Sequence, residues 1–266
     1  MSPRSSAYFL ISTGRVNLFM LLEGEHLEPL SREVSVIVSG NHRFNTDTLL
    51  LAAFSAPRAG EACADLGTGC GTIPLIWCVK SKPKAVYAVE LQKDACDMAR
   101  RSVEYNRLED TVHIINRDIK ALRPGEDVPR SLNLVACNPP YKPEGTGIKN
   151  PNEGLRIARH EVACSFSDIA LTAAKLLRWG GRFCCCLRPE RLCDAMLALR
   201  SAGLEPKRLR FVQQRQGKAP SLFLLQANRG GKPGMAAEPV LFIEDDYGKD
   251  TEEMKQIYGD YREGSK

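Results

Sequence analysis

The sequence lacks the features that mark several large protein classes. Its ten cysteines include no C-x-x-C pair, and no pair of histidines lies close by, so zinc-finger spacing is absent. The apolar stretch 8–22 contains Arg15 and Asn17 and is too short to cross a bilayer. No small-residue cleavage site follows it, which argues against a signal peptide. We therefore expect a cytoplasmic protein without a metal site or a membrane span, with cysteines acting as small apolar residues.

Composition places few further limits on function. The chain has 266 residues, of which 43% are hydrophobic and 26% charged, as is ordinary for a globular protein. The formal net charge of +5 permits a polyanionic partner without requiring one. Cys184, Cys185 and Cys186 lie in an apolar run, and the alternation of a strand would place at least one of them on each side of a sheet.

Short apolar runs alternate with helical patterns along most of the chain. The predicted strands are 62–66, 84–91, 111–116, 132–137 and 182–187, and the predicted helices are 44–54, 74–79, 94–106, 167–177 and 190–202. Such alternation is typical of a mostly parallel sheet with helices on both faces. Two last strands, 207–213 and 222–226, have no helix between them and should form an antiparallel pair at the edge. The prediction is an α/β, Rossmann-like fold with a seven-stranded, mostly parallel sheet and an antiparallel edge strand.

The domain organisation follows from the same patterns. We expect an N-terminal extension with a short strand, a core domain, and a tail packed on the core, with the respective ranges 1–45, 46–230 and 231–266. Asn45 or Thr46 should cap the helix that opens the core, since both side chains accept a hydrogen bond from backbone N–H groups of a first turn. The tail should add a short strand and a short helix, at 240–243 and 252–258.

A glycine-rich loop follows the first core strand and precedes a helix. It reads Asp65-x-Gly67-x-Gly69-x-Gly71, and its glycines let the backbone turn tightly and approach a ligand. The spacing differs from the G-x-G-x-x-G of nicotinamide enzymes. Asp65 would repel a pyrophosphate and attract an ammonium group. S-adenosylmethionine carries an ammonium, a carboxylate and a ribose but no phosphate, so the loop favours that cofactor.

Two further acidic residues stand at the ends of the next two strands. Glu90 has about the separation from the loop at which a carboxylate accepts hydrogen bonds from a ribose. Asp118 follows the third strand, where a carboxylate would meet an adenine amino group. For each acid taken alone, a solvated carboxylate at a strand end is the alternative. Because the carboxyl ends of parallel strands share one edge, we expect Asp65, Glu90 and Asp118 to line one cofactor site.

The tetrapeptide Asn138-Pro139-Pro140-Tyr141 follows the apolar strand 132–137. The two prolines remove ladder donors and fix the backbone, and Pro139 pushes Asn138 into an extended conformation. The resulting stiff corner presents an amide side chain, backbone carbonyls and an aromatic ring. Such a corner would accept hydrogen bonds from an NH₂ group attached to a flat ring. The alternative interpretation of the tetrapeptide is a turn that ends the strand and carries a surface tyrosine.

Together these motifs resemble the class I S-adenosylmethionine-dependent methyltransferases that carry an Asn-Pro-Pro-Tyr motif. Two further runs resemble, more specifically, the bacterial tRNA adenine-N6 methyltransferases, which act on adenosine 37 of a valine tRNA. These runs are Arg43-Phe44-Asn45-Thr46-Asp47 and Arg156-x-Ala158-Arg159-His160-Glu161. The likeness covers roughly residues 23–258.

The resemblance implies a fold, an activity and residue roles. The catalytic corner would be Asn138, Pro139, Pro140 and Tyr141, which hold the target adenine. Arg156, Arg159 and His160 would contact RNA, with a solvated helix start as the alternative. The cofactor-binding positions would be Phe44, Asp47, Asp65, Gly67, Thr68, Gly69, Gly71, Glu90, Leu91, Asp118 and Ile119. The implied enzyme methylates the N6 atom of an RNA adenine, binds S-adenosylmethionine and no metal, and is expected to be a monomer.

The expected mechanism is alignment of a weak nucleophile. The lone pair of an exocyclic adenine nitrogen is delocalised into the ring. The Asn138 amide oxygen and the Pro139 carbonyl would accept its two N–H bonds and aim the lone pair at the sulfonium methyl. Tyr141 would lie against the extruded base. A second basic cluster, with Arg208, Arg210, Arg215 and Lys218, is more typical of a solvated face.

Three alternatives remain open. A protein-glutamine N5 methyltransferase uses a similar corner to hold a side-chain amide, but such enzymes carry a longer helical N-terminal domain. A catalytically silent RNA-binding relative would not need the intact glycine loop and Asn138. A nicotinamide oxidoreductase is disfavoured by the loop spacing.

Overall fold

The computed structural model describes residues 21–139 and 164–262. Its strands are β1 Glu25–Pro29, β2 Ser35–Ser39, β3 Ala62–Leu66, β4 Ala85–Glu90, β5 Val112–Asn116, β6 Leu132–Cys137, β7 Leu177–Leu187, β8 Leu204–Gln213, β9 Pro220–Arg229, β10 Ala236–Ala237 and β11 Leu241–Phe242. Its helices are α1 Thr46–Ser55, α2 Thr72–Ser81, α3 Lys93–Tyr105, α4 Phe166–Leu176, α5 Leu192–Ser201 and α6 Glu252–Tyr258. Every core strand and helix predicted from the sequence is present. Most of them begin or end at residues that differ from the predicted bounds.

One large sheet organises the described part of the chain. Its order is β10-β8-β9-β7-β6-β3-β4-β5, and β11 also pairs with β8. The strands from β7 to β5 run parallel, while β9 runs antiparallel to both β7 and β8. The predicted antiparallel pair is therefore confirmed, but the antiparallel strand itself, β9, is third in the order and not at the edge, and the described residues form nine strands in this sheet instead of the seven predicted. The hairpin folds back so that β9 pairs with β7 and pushes β8 outward, where β10 and β11 then add to it.

Apolar side chains cover both faces of the sheet. One cluster joins buried residues of α1, α2, α3 and α6 to Cys184 and Cys186. The other joins buried residues of α4 and α5 to Cys185. The prediction that the three consecutive cysteines point to both sides of a strand is confirmed, and all three behave as buried apolar residues.

An antiparallel hairpin of β1 and β2 packs on α3. The backbone N–H of Ile37 donates to Ser102 Oγ at 2.9 Å, and Arg101 forms two hydrogen bonds of 2.7 Å with the Glu25 carboxylate. Burial alone would raise the pKa of Glu25, but the Arg101 contact holds it below its usual value. Strand β1 was not predicted because its sequence, EHLEP, has no apolar alternation. The hairpin fixes where the following loop, 41–44, reaches the sheet.

The order of connection reverses next to β3. The chain leaves β3 for β4 on one side and later returns to β6 on the other side. A crevice opens at such a reversal, outside the carboxyl ends of the strands, and ligands of open α/β sheets bind there. The carboxyl ends of β3, β4, β5 and β6 are followed by the glycine loop, Leu91, Asp118 and Asn138.

No helix in the described ranges, 21–139 and 164–262, is long and apolar enough to cross a membrane. Within those same ranges, no group of three or more His, Cys, Asp or Glu side chains is placed to hold a metal ion.

Candidate active site

A cavity of about 330 Å³ opens at the carboxyl ends of β3, β4 and β6. Most of the residues predicted for the site line it, although they are spread over nearly a hundred positions of the chain. They are Phe44, Asp65, Gly67, Thr68, Gly69, Glu90, Leu91, Asp118, Ile119, Asn138 and Pro139. The cavity thus brings nine of the predicted cofactor residues together with Asn138 and Pro139 of the predicted catalytic corner.

Two residues predicted to bind the cofactor are not among those that line the cavity. Gly71 stands at the start of α2 with a φ of 89°, and a Cβ there would lie 3.3 Å from the Cβ of Ala99. Its glycine therefore allows α2 and α3 to pack closely. Asp47 lies in the first turn of α1, where burial raises the pKa of its carboxyl and the charge of Arg188 partly offsets that rise. The sequence pattern could not separate these packing and helix-start roles from direct contact.

Asp65 is the most unusual acid of the site. Its side chain is buried, and neither its two carboxylate oxygens nor the Thr68 hydroxyl makes a hydrogen bond of standard geometry with a described residue. Burial raises the pKa of Asp65 to about 7, the nearby Thr68 hydroxyl opposes the rise, and the charge of Glu90 adds to it. A buried acceptor without a partner is costly, so these atoms fit a ligand that brings N–H donors or positive charge.

Glu90 holds the glycine loop as well as lining the cavity. Its Oε2 accepts a hydrogen bond of 2.9 Å from the backbone N–H of Gly69, and its Oε1 accepts one of 2.9 Å from that of Gln92. Gly67 and Gly69 have φ values of 77° and 58°, a left-handed backbone that favours glycine. Each carboxylate oxygen keeps acceptor capacity for a ligand. The structural duty of Glu90 was not visible in the sequence.

Asp118 caps a short 3₁₀ turn at the end of β5. Its Oδ1 accepts a hydrogen bond of 2.8 Å from the backbone N–H of Lys120. Asn116 donates to the carbonyls of Glu90 and Leu91, each at 2.9 Å, and so fastens the end of β5 to the end of β4. These contacts hold the ends of β4 and β5 together, and Glu90 and Asp118 both line the cavity there.

The amide of Asn138 is oriented by a chain of hydrogen bonds. Thr48 donates its backbone N–H to Asn45 Oδ1 at 3.1 Å, which fixes that atom as an acceptor. The Thr48 hydroxyl, 3.1 Å from the same atom, must therefore donate to it. Because the Thr48 hydroxyl has only one proton and donates it to Asn45, it can only accept the hydrogen bond from Asn138 Nδ2, at 3.2 Å.

The thiol of Cys186 completes this orientation. Its Sγ lies 3.1 Å from Asn138 Oδ1 and donates to it. Because Nδ2 faces Thr48, the oxygen of the amide faces Cys186, and an amide oxygen can accept two hydrogen bonds. Thr48 and Cys186 were not predicted from the sequence, although the Asn45 cap three positions before Thr48 was a signal that the side chains of Asn45 and Thr48 would meet.

An aromatic contact ties the tail to the wall of the cavity. The rings of Phe44 and Tyr261 meet edge to face, with centroids 5.5 Å apart, and the Tyr261 hydroxyl donates to Glu28 at 3.1 Å. The tail therefore supports the loop that carries Phe44.

Pro140, Tyr141, Arg156, Arg159 and His160 lie outside the described residues. In the second basic cluster, the pair Arg208–Glu238 has an N–O distance of 2.6 Å, and so has Arg210–Glu253. These two arginines pair with acids of the tail, so their charges are used within the fold, whereas the sequence suggested a solvated face.

Comparison with known proteins supports the resemblance. The model of the methyltransferase small domain family matches residues 38–157. A tRNA1(Val) (adenine(37)-N6)-methyltransferase of Tolumonas auensis is 28% identical over 204 residues, which are 76% of this chain and 81% of that protein. A protein of the same name from Histophilus somni is 26% identical over 220 residues, which are 82% of this chain and 89% of that protein.

Solved structures confirm the predicted fold class. A crystal structure described as a predicted O-methyltransferase from Agrobacterium tumefaciens has a TM-score of 0.63 at 21% identity, and covers 80% of this chain and 95% of its own. Methanocaldococcus jannaschii Trm5 in complex with adenosine has a TM-score of 0.55 at 12% identity, and covers 82% of this chain and 58% of its own. At these identities the likeness concerns the fold alone.

Proposed function

We propose that this chain methylates the exocyclic N6 of an adenine in tRNA. It carries a methyltransferase domain and is related to the bacterial tRNA1(Val) (adenine(37)-N6)-methyltransferases. The proposed methyl donor is S-adenosylmethionine, and the proposed position is adenosine 37 of a valine tRNA. The observation that carries the proposal is the shared cavity, which is lined by both the unpartnered Asp65 carboxylate and the oriented Asn138 amide.

The residues of the cavity fit this cofactor. The unpartnered oxygens of Asp65 and the Thr68 hydroxyl would accept hydrogen bonds from its ammonium group. Glu90 would accept from its ribose hydroxyls, and Asp118 from its adenine amino group. When bound, S-adenosylmethionine supplies a methyl group on a positively charged sulfur. The phosphates of a nicotinamide dinucleotide would instead meet the acids of the same cavity.

Asn138 would act on the attacking amine. Its amide oxygen and the Pro139 carbonyl accept the two N–H bonds of the target amine, which localises the nitrogen lone pair and directs it. Thr48 and Cys186 hold the amide in the required orientation before the substrate arrives, so little reorganisation remains for the reaction itself. The bound cofactor would supply the methyl group to the aligned nitrogen, and the surplus proton of the amine would pass to water. Alignment thus replaces a strong general base.

The assay is methylation of an unmodified valine tRNA transcript by the purified protein. We expect N6-methyladenosine in the digested product, at position 37, and its loss when that adenine is replaced by guanine. Methyl transfer to a protein glutamine, with none to tRNA, would instead establish the alternative enzyme class.

Monomeric state and cytoplasmic location remain predictions. Gel filtration with light scattering, at the concentrations used for methylation, checks the first. A fluorescent fusion checks the second.

A further inference from the structure

We infer that a second RNA-binding site lies in a groove at the end of the sheet opposite the cavity. In this groove Trp179 stacks on an unpaired base, and a ring of cations holds the adjoining phosphates. The inference rests on the proposed function in that it takes RNA to be the substrate. It adds a contact surface that the active-site cavity does not contain.

The groove lies at the start of strand β6, and the cavity lies at the end of that strand. Leu177, the first residue of β7, pairs with Leu132, the first residue of β6, while Asn138 follows the last residue of β6. At about 3.3 Å per residue, the two sites are roughly 20 Å apart along the strand. An RNA that touches both must therefore extend beyond a single nucleotide, as the arms of a tRNA do.

Trp179 is an exposed and yet positioned aromatic residue. Its side chain is 73% exposed, whereas the other tryptophan, Trp77, is buried with its indole N–H donated to the Ala52 carbonyl. The ring lies so close to Gly230 that a Cβ there would come within 2.2 Å of it. Contact with that glycine backbone restrains the ring, and its exposed surface stays open to solvent. Restrained aromatic surfaces of this kind serve as stacking platforms for bases.

The groove beside Trp179 is lined by positive charge. It has a volume of about 550 Å³, and its lining includes Arg130, Lys175, Arg178 and Arg229. Among the described residues, no carboxylate lines this groove, and none forms an ion pair with any of these four cations. Four unneutralised cations in one groove repel each other, which a polyanion would relieve.

Backbone carbonyls hold three of these cations in place. Arg130 Nε donates to the Pro124 carbonyl at 2.9 Å, and Arg178 donates to the Trp179 carbonyl at 3.3 Å. Arg229 donates to the carbonyl of Leu177. A carbonyl orients a guanidinium without cancelling its charge. By contrast, Arg101 and Arg182 each pair with a carboxylate, so their charges are used within the fold.

The combination favours single-stranded RNA over other polyanions. Cations alone would suit an acidic peptide equally well. The exposed indole adds a surface for the flat face of a base, and base stacking is tolerant of sequence. The groove therefore fits an unpaired segment of the substrate RNA, held by its backbone and by one stacked base.

Intrinsic fluorescence reads this site directly, because Trp179 is exposed and Trp77 is buried. The probe is oligouridylate, which has no adenine to engage Asn138. We expect saturable quenching that weakens with added salt, since phosphate contacts release counterions. Fluorescence anisotropy of labelled oligouridylate should show affinity about tenfold lower for Trp179→Ala, with a smaller loss for Trp179→Phe. Absence of quenching, or wild-type affinity of Trp179→Ala, would overturn the inference.

A charge reversal gives an independent check with a matched control. Arg178→Glu should weaken binding of oligouridylate, whereas Lys255→Glu, the same change of charge at an exposed position of α6, should not. An equal loss of oligouridylate affinity in both variants would show that only general electrostatic attraction is involved, and it would contradict the inference. Equal quenching by oligoglutamate would make it a site for any polyanion, which also contradicts a dedicated RNA contact.

Methylation kinetics separate this inference from the proposed function. Trp179→Ala should raise KM for full-length tRNA and leave kcat unchanged. If wild-type protein methylates no tRNA but oligouridylate still quenches Trp179, the proposed function fails and the groove stands. If Trp179→Ala changes neither the KM for tRNA nor the anisotropy of labelled oligouridylate, the groove is not an RNA-binding site, and the proposed function is unaffected.

Discussion

The side-chain nitrogen of Asn138 donates a hydrogen bond of 3.2 Å to the hydroxyl of Thr48, across ninety positions of the sequence. Thr48 belongs to the first turn of α1, and Asn138 follows β6. The start of one helix thus sets the direction of the amide proposed to align the substrate. Because Thr48 uses its proton on Asn45, the amide nitrogen, and not the amide oxygen, must face it.

Thr48→Val should lower the turnover number by about tenfold, the scale of one lost hydrogen bond of about 1–1.5 kcal/mol. Valine has the same shape but cannot accept from the Asn138 amide, so the amide would rotate. The KM for cofactor should not change. Thr48→Ser should restore most of the turnover because it keeps the hydroxyl. Equal turnover in the Val and Ser variants would remove Thr48 as a positioning residue.

The elevated pKa of Asp65 predicts a pH-dependent stability. In the folded, ligand-free protein the pKa is about 7, against an ordinary value of 3.8, so the folded state retains a proton that the unfolded state has released. The associated stability is complete below the ordinary value and is lost as the pH rises toward 7. Urea unfolding across this range should show that decline in the wild type and a flatter profile in Asp65→Asn. Parallel profiles would contradict the buried-acid account.

Cofactor affinity should depend on the same proton. An ammonium group bound to Asp65 needs the ionised carboxylate, so binding at low pH releases a proton. Between about pH 6 and pH 8 the affinity for S-adenosylmethionine should rise by about tenfold. Calorimetry in buffers of different ionisation enthalpy measures the released proton. Binding without proton release at pH 6 would show that Asp65 does not meet a charged donor.

Glu90→Ala should weaken S-adenosylmethionine binding by about 1–3 kcal/mol, the scale for hydrogen bonds to a charged acceptor. It should also lower the melting temperature, because Glu90 holds the backbone of Gly69 and Gln92. Glu104→Ala, which removes an exposed acid of α3, serves as the control and should change neither quantity. A melting temperature that falls while cofactor affinity stays at the wild-type value would restrict Glu90 to a structural role.

The sequence predicted the part of the site that local patterns control. Strands β3 and β6 have the predicted bounds, because their apolar runs are flanked by turn residues. Since parallel strands end at one edge, the convergence of Asp65, Glu90 and Asn138 followed from the topology. Asn45 caps α1 as one of the two residues predicted for that position.

Contacts between distant segments could not be predicted in this way. The contacts of Asn138 with Thr48 and Cys186 depend on how α1 and β7 pack against the end of β6. Trp179 lies in a run with two glycines that suggested a lead-in to a strand at 182–187, but β7 already begins at Leu177. The extra length carries Trp179 to the groove at the opposite end of the sheet.

Single-turnover methyl transfer by Asn138→Ala tests the central claim most directly. The substrate is an unmodified tRNA, and N6-methyladenosine is quantified by mass spectrometry. Asn138 is proposed to accept a hydrogen bond from the reacting amine and not to hold the cofactor or the fold. The melting temperature and the cofactor affinity should therefore stay near their wild-type values. The rate should fall by roughly two orders of magnitude or more, the scale for losing one preorganised hydrogen-bond partner. A variant that folds, binds S-adenosylmethionine and methylates at the wild-type rate would contradict the account.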